Sequence, residues 1–191
     1  AIERYQKAPN LSLNIYRSAT TTLSEGFDGT KAWSQDVRGR VVDLLNSDQG
    51  RVKREADFYL SLDLKQQYTK LEVQSIERIN DRDAYVMIGT SPGEIPERLY
   101  FDTQTGLLLR KQSALPSPAG DYPIQVNYGD YRDTGSGVKF PYLITMYPAV
   151  PGLRANTPSS STTIRVTKVQ DNAPLESTKF AKPQPKPAAA Q

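Results

Sequence analysis

Short runs of alternating apolar and polar residues, separated by turn residues, extend along most of this chain. Leu11, Leu13 and Ile15 fall on one side of an extended segment. Asp28-Gly29 is a strong tight-turn dipeptide, and the strand that returns from it carries Trp33, the only tryptophan. We count about nine or ten such strands, which predict a mainly β (α+β) fold built on one curved antiparallel sheet or open half-barrel.

One stretch in the middle departs from this alternation. Between Ser47 and Tyr59, apolar residues such as Val52 and Ala56 lie at helical spacing, and the charged residues between them would face solvent. The segment from Leu62 to Tyr68 adds a second short helical turn. The sequence therefore predicts a helical insert, acting as a lid, near residues 47–68.

The end of the chain has a different composition. Lys182–Gln191 alternates Pro with polar residues and ends in alanines, which predicts an extended polyproline II tail. We therefore place one domain at residues 1–180 and a Pro/Ala-rich tail at 181–191. The irregular stretch Pro148–Ser161 is long for a hairpin connection and is predicted to be either a functional flap or a mobile loop, with the mobile loop favoured.

Two missing residue types exclude several classes of chemistry. The 191-residue chain contains no Cys and no His. Disulfides, Cys or His metal sites, haem attachment through C-x-x-C-H, and Ser-His-Asp or Cys-His catalysis are therefore excluded. The sequence predicts no cofactor and no metal.

The charge pattern argues against nucleic acid as a partner. The net charge is only +3, and charges of both signs are interspersed along the chain. Sequence-independent binding to nucleic acid needs a basic stripe, which the sequence lacks. No apolar stretch reaches the roughly 18 to 20 residues that a membrane-spanning helix needs, so no transmembrane segment is predicted.

The motifs that could support catalysis have simpler structural explanations. Ser136-Gly137-Val138-Lys139 matches the S-x-x-K pattern of acylating enzymes, but its Ser stands between two glycines in a predicted hairpin turn rather than at a helix start. The aspartates recur in turns, where Asp is an ordinary residue. No Gly-rich phosphate loop is present. The sequence predicts no catalytic residue, and the protein is not expected to be an enzyme.

The remaining candidates for function are apolar and aromatic side chains. A curled, half-open sheet encloses a space that is either a filled core or a cavity for an apolar ligand. The aromatic residues that could line this space are Trp33, Phe58, Tyr59, Tyr85, Tyr100, Phe101, Tyr142 and Tyr147. Core packing is the competing interpretation for each of them.

Several runs together resemble one family. Gly26–Trp33 resembles the G-(F/Y)-D-G-x-x-x-W hairpin of bacterial envelope domains related to the lipoprotein carriers LolA and LolB and to RseB. Glu55–Tyr59 and Phe101–Arg110 recur in the same order in that group. Asp130–Asp133 with Gly137–Pro141 is similar to its D-Y-R-x-x-x-G-x-x-x-P turn.

The resemblance continues to the end of the predicted domain, where Asn172–Leu175 and Phe180 look like the final strand exit of the group. Among its members, the chain most resembles the cysteine-free C-terminal domains of acidobacterial c-type cytochromes, some of them described as reaction-centre cytochrome subunit-like. The resemblance implies a periplasmic or cell-envelope half-barrel whose concavity, in the carriers, holds acyl chains. It also implies that an N-terminal helix and strand of the family precede this sequence.

Two hypotheses about function follow. In the first, the chain is a non-catalytic periplasmic envelope domain that binds a lipid or lipoprotein acyl chain in its concavity, with the aromatic residues above as the ligand-binding candidates. In the second, it is a structural or docking accessory domain of a c-type cytochrome or membrane electron-transfer complex. The first predicts an apolar cavity beneath the helix near residues 47–60, and the second predicts a filled interior with an exposed apolar patch or unpaired edge strand.

Overall fold

A computed structural model describes residues 1–60, 64–91, 95–115, 120, 122–149 and 161–184. Most of the predicted Pro148–Ser161 loop and of the predicted tail lie outside these residues. The described part contains twelve β-strands, two short α-helices and one 3-10 helix. The strands are β1 Ile2–Lys7, β2 Leu11–Arg17, β3 Thr22–Phe27, β4 Ala32–Gln35, β5 Val41–Asp43, β6 Lys70–Ile79, β7 Arg82–Thr90, β8 Glu97–Asp102, β9 Leu108–Leu115, β10 Tyr122–Asp133, β11 Lys139–Pro148 and β12 Thr162–Arg165. The helices are α1 Asn46–Ala56, α2 Leu64–Gln67 and the 3-10 helix Ser177–Phe180.

The strands form two antiparallel sheets instead of the single sheet that the sequence predicted. One sheet has the order β1-β2-β3-β4-β5 and the other β12-β11-β10-β9-β8-β7-β6, and neither is closed on itself in the described residues. The hydrogen bonding divides at α1 and α2, which separate β5 from β6 along the chain. The helical insert thus lies where the sequence predicted it.

The strand count of nine or ten was also wrong, because the described part alone contains twelve. Strand β5 has only three residues, Val41–Asp43, which is too short to show an alternating pattern. In β6, the register shifts between Val73 and Ser75, so its alternation changes phase within a single strand.

The chain divides into two compact units. The five-stranded unit comprises Ala1–Leu64 and Pro174–Gln191, and the seven-stranded unit comprises Lys65–Ala173. The assignment of residues 1–180 to one domain remains a prediction.

In the five-stranded unit, other segments of the unit pack on both faces of the sheet, although Ile2, Tyr16 and Leu23 remain exposed in one row. Helix α1 packs on one face, where Phe27, Ala32, Val52 and Ala56 are each at most 1% exposed. Arg51 of α1 also pairs with Glu25 of β3 at 2.7 Å. The helix therefore covers a filled core, and the apolar cavity predicted beneath residues 47–60 does not occur among these residues.

The opposite face of this sheet is covered by the C-terminal segment of the chain. Trp33, Leu13 and Phe180 form a buried cluster there, and the Trp33 indole Nε1 donates a hydrogen bond to the Phe180 carbonyl oxygen at 3.1 Å. Gly26 makes this packing possible, because a Cβ atom at that position would lie 2.7 Å from the Trp33 ring. The tryptophan and the glycine of the resembling hairpin are thus residues of a close-packed core.

Candidate apolar binding face

The seven-stranded sheet carries apolar side chains side by side across three neighbouring strands. Backbone pairing sets Ile76 of β6 beside Tyr85 of β7, and Tyr85 beside Phe101 of β8. The next row on the same side consists of Val73, Met87 and Leu99, paired in the same way. Because residues directly opposite one another project to the same side of a sheet, these two rows form one surface. We call it the apolar face, made of Val73, Ile76, Tyr85, Met87, Leu99 and Phe101.

Exposure on the apolar face increases from the middle of the sheet towards β6. Leu99 is 3% exposed, whereas Tyr85 is 43%, Ile76 60% and Val73 61% exposed. Met87 and Phe101 are half-buried. In the part of the chain that the structure describes, β6 pairs only with β7, so the exposed end of the face coincides with an edge strand. Adjacent exposed apolar residues of this kind mark a surface for binding.

A small polar cluster lies beside the buried end of the apolar face. Lys111 pairs with Leu99 across β8 and β9, and its ammonium group is 2.7 Å from Glu97 Oε1. The Tyr68 hydroxyl donates a short hydrogen bond to the other carboxylate oxygen of Glu97. The side chains of Glu97 and Lys111 are 23% and 30% exposed. We call Tyr68, Glu97 and Lys111 the polar cluster.

Two further residues surround the polar cluster. Gly89 pairs with Glu97, and a Cβ atom on Gly89 would lie 2.6 Å from the Tyr68 ring, so the absence of a side chain allows the ring to lie against the sheet. Burial raises the pKa of the Tyr128 phenol, and the nearby negative charge of Glu97 raises it further. The carboxylate of Glu97 is therefore set among tyrosines and one ammonium group.

An open groove of about 650 Å³ lies at the register shift of β6, where Glu72, Val73, Gln74 and Ile88 line it. Its volume is in the range of ligand-binding sites. The groove reaches the exposed end of the apolar face at Val73.

The other side of the seven-stranded sheet, called the polar side below, carries a hydrogen-bonded network across β8, β9 and β10, next to a buried apolar cluster that includes Ala84 and Val86. The Tyr100 hydroxyl donates to Gln112, Gln112 to Gln125, and Gln125 to Asn127, at 3.0 to 3.1 Å. Arg110 donates to Asn127 and lies over the Tyr100 ring at 5.6 Å from its centroid, which closes the ring of contacts. Since these polar groups hydrogen-bond to one another, the network rigidifies the sheet.

The structure separates the aromatic residues that the sequence proposed as ligand-binding. Tyr85 and Phe101 are adjacent on the apolar face. Tyr142 of β11 lies on the same side of the sheet, where the Arg132 guanidinium group sits 4.6 Å from its ring centroid. Tyr147 pairs with Gln125 and therefore lies on the polar side, as does Tyr100, which is 3% exposed.

The other three candidates belong to the five-stranded unit. Trp33 is 1% exposed and is a core residue of that unit. Phe58 and Tyr59 follow α1 and are 44% and 52% exposed, with their rings edge to face at 5.4 Å. These environments cannot be told apart from the sequence, because aromatic side chains occur in cores and at binding surfaces alike.

The sequence reasoning missed seven residues of the site: Tyr68, Val73, Ile76, Met87, Glu97, Leu99 and Lys111. The register shift in β6 hides that Val73 and Ile76 project to the same side of the sheet. Glu97 and Lys111 are unremarkable charged residues in the sequence, and only strand pairing brings them together. The signal that could have located them is a pair of opposite charges on strands that are otherwise apolar on that side.

The S-x-x-K sequence forms a turn. The Ser136 hydroxyl donates to Asp171, as does that of Thr134, while the Lys139 ammonium group donates to Asp133 at 3.3 Å. Ser136 is therefore part of a hydrogen-bonded turn between β10 and β11. Among the described residues, no three His, Cys, Asp or Glu side chains are arranged to hold a metal ion.

Comparison with solved structures identifies the fold. A domain from Vibrio parahaemolyticus described as an outer membrane lipoprotein-sorting protein matches with a TM-score of 0.60 and 11% identity, over 94% of this chain and 79% of that one. A LolA superfamily protein from Nitrosomonas europaea matches with a TM-score of 0.56 and 14% identity, over 95% and 80%. A DUF1329 family protein from Desulfovibrio piger matches with a TM-score of 0.56 and 11% identity, over 94% and 79%.

The chain therefore has a LolA-like fold, as its sequence motifs predicted. No protein-family model and no curated protein matches the sequence. None of the helices in the described ranges has the length and apolar character that crossing a membrane requires.

Proposed function

We propose that this chain is a non-catalytic domain of the periplasm or cell envelope that binds the acyl chain of a lipid or lipoprotein on its apolar face. The observation that carries the proposal is the exposure of Val73, Ile76 and Tyr85, side by side on neighbouring strands of a LolA-like fold. The similarity to a domain described as a lipoprotein-sorting protein supports the ligand class and the compartment.

The energetics favour an apolar ligand at this place. Fully burying an exposed Val or Ile side chain contributes about 1.5 to 3 kcal/mol, and both side chains are about 60% exposed without a ligand. Met87 and Phe101, which lie on the neighbouring strands of the same face, are already half-buried without a ligand. A ligand that covers the apolar face therefore gains affinity without requiring the sheet to rearrange.

The other candidate location in the chain is already filled. The residues beneath α1 are at most 1% exposed, so a ligand there would first have to displace the helix. Of the aromatic candidates, Tyr85 and Phe101 are the two that we place in contact with the ligand.

Displacement of a neutral fluorescent probe tests the proposal. N-phenylnaphthylamine, which brightens in apolar surroundings, is bound to the purified chain and displaced by dodecanol. We expect the double variant Val73→Asn/Ile76→Asn to weaken dodecanol binding at least tenfold, because it makes the exposed end of the face polar. The matched control is Ile2→Asn, an exposed isoleucine on the five-stranded unit, 51% exposed, which should bind like the wild type.

The results that support the proposed function differ from those that overturn it. Loss of binding in the double variant but not in the control supports the apolar face as the site. Equal loss in both variants, unchanged binding in the double variant, or no binding of dodecanol to the wild type overturns the proposal. Far-ultraviolet circular dichroism of each variant confirms that it is folded before binding is compared.

A second candidate function is docking to a c-type cytochrome or a membrane electron-transfer complex. The observation that favours it is the edge strand β6, ten residues long, which exposes Val73 and Ile76 beside its backbone. Such a strand can pair with a strand of another protein. Purification of the protein from its source in complex with a cytochrome, with no bound lipid, would favour docking over acyl binding.

A further inference from the structure

We infer that the ligand of the apolar face is an anionic amphiphile whose acidic head group binds the Lys111 ammonium group. This inference rests on the proposed function, because it assigns a head-group site to the same apolar face. It identifies the ligand class as an acyl chain that ends in a carboxylate or a phosphate.

The position of the polar cluster carries the argument. Lys111 lies in the same row as Leu99, Met87 and Val73, one strand beyond the apolar face. A neighbouring strand adds about 4.8 Å, so the row from β9 to β6 measures roughly 14 Å. An extended acyl chain of medium length spans that distance, with its head group at Lys111 and its tail end at Val73.

The stability of the folded protein does not explain why the ion pair of Glu97 and Lys111 lies here. A partly buried ion pair gains Coulomb energy but also loses hydration, so it is often no better than an apolar pair of the same size. Glu97 and Lys111 are only 23% and 30% exposed, and they stand next to Leu99 on a side of the sheet that is otherwise apolar here. A binding role accounts for a charged pair at the buried end of an apolar surface.

The contacts within the polar cluster indicate that the head group of the ligand is negatively charged. Each carboxylate oxygen of Glu97 has a partner: the Lys111 ammonium group forms an ion pair with one, and the Tyr68 hydroxyl donates a hydrogen bond to the other. The lysine ammonium group has three N–H donors, and Glu97 engages it at a single oxygen atom. The cluster therefore has donor capacity for an incoming anion, whereas its one carboxylate already has a partner on each oxygen.

The tyrosine beside the cluster fits the same assignment. The Tyr128 phenol lies close enough to Glu97 for that negative charge to raise its pKa, and a neutral phenol can donate a hydrogen bond.

The test compares ligands that differ only in the head group. Laurate, dodecanol and dodecyltrimethylammonium are each used to displace N-phenylnaphthylamine, whose own binding does not depend on a charge. We expect the wild type to bind laurate about tenfold more tightly than dodecanol, a difference of about 1.4 kcal/mol. The Lys111→Met variant should bind the two equally, while its affinity for dodecanol changes little.

A second variant gives a change of opposite sign. In Glu97→Gln, the ammonium group no longer has a competing carboxylate, so the preference for laurate over dodecanol should increase several-fold. The double variant Glu97→Gln/Lys111→Met leaves no unpaired charge and should lose the preference while remaining folded. Lys139→Met removes an exposed lysine that pairs with Asp133, and this control should keep the wild-type preference.

The inference and the proposed function fail in different ways. If dodecanol binds but laurate binds no better, or if Lys111→Met keeps the preference, the inference is wrong and the proposed function stands. Tighter binding of the cationic detergent than of laurate also overturns the inference. If dodecanol does not bind to the wild type, the proposed function itself is contradicted. If the preference for laurate is found and depends on Lys111, the affinities for laurate and dodecyl phosphate are compared to distinguish a carboxylate from a phosphate head group.

Discussion

The two units of this protein use apolar residues differently. In the five-stranded sheet, α1 packs on one face and the C-terminal segment with Phe180 on the other, and the largest side chain, Trp33, is 1% exposed, although Ile2, Tyr16 and Leu23 remain exposed. The seven-stranded sheet leaves Val73 and Ile76 about 60% exposed on its apolar face. The comparison teaches that similar alternating strands can form a closed core or leave an open apolar surface, depending on what packs against them.

The strongest test of this comparison removes the centre of the closed core. Trp33→Ala should lower the free energy of unfolding by about 3 to 5 kcal/mol, because it opens a large cavity and removes the hydrogen bond to Phe180. Urea denaturation followed by circular dichroism measures the loss. Leu45→Ala, at a residue 66% exposed in the same unit, is the control and should change stability by less than about 0.5 kcal/mol. A small effect of Trp33→Ala would contradict the filled core.

The second test compares the two sides of one sheet. Val86 is 0% exposed and Val73 is 61% exposed, although the strands that carry them are paired. Val86→Ala should lower the free energy of unfolding by about 2 kcal/mol and Val73→Ala by less than about 0.5 kcal/mol. Equal losses in the same urea experiment would show that the apolar face is not an open surface.

The sequence predicts single strands, turns and helices better than it predicts how the strands pair. The alternation of Leu11, Leu13 and Ile15, the Asp28-Gly29 turn and the helical spacing of Val52 and Ala56 are local signals, and each element formed where it was expected. The division into two sheets was not predicted, because it depends on which strands pair and not on any one strand.

The candidate site was harder to predict than the fold for the same reason. Tyr85 and Phe101 were proposed as ligand-binding together with Trp33, which is buried in a core, and with Tyr147, which lies on the polar side of its sheet. Period-two alternation shows which residues share a side but not which side remains uncovered. The ion pair of Glu97 and Lys111 joins strands whose connecting loop carries no charge signal, so only pairing reveals it.

The third test concerns glycines in the two sheets. A Cβ atom on Gly26 would lie 2.7 Å from Trp33 and 2.9 Å from the Ser12 carbonyl oxygen, whereas one on Gly129 would meet nothing within 4 Å. Gly26→Ala should therefore lower the free energy of unfolding by about 1 to 3 kcal/mol through overpacking. Gly129→Ala should be neutral or slightly stabilising, since it restricts the unfolded chain. If the two variants are equally stable, the dense packing around Trp33 is refuted.

The smallest expected effect is a dependence of stability on pH. Asp102 accepts hydrogen bonds from the backbone N–H groups of Thr105 and Gln104, and these contacts, the Thr105 one foremost, lower the pKa of its carboxyl group below the ordinary 3.8. A lowered pKa in the folded state means that the stabilisation is complete above pH 3.8 and is lost as the pH falls through the folded value.

Asp102→Asn should consequently flatten this part of the acid dependence. Urea midpoints of the wild type and the variant, measured between pH 5 and pH 2, give the comparison. The difference between the urea midpoints of the wild type and the variant should become smaller as the pH falls. A gap that stays constant over this range would show that the Asp102 carboxylate contributes no pH-dependent stability.

The apolar face can be tested most directly by nuclear magnetic resonance of methyl-labelled protein titrated with dodecanol. The account predicts that the methyl signals of Val73, Ile76 and Met87 shift together and saturate at one concentration. Those of Ile2, Leu23 and Val42, which are exposed on the five-stranded unit, should remain in place. Shifts confined to the five-stranded unit, or no shifts at a saturating concentration, would contradict the claim that this sheet binds an acyl chain.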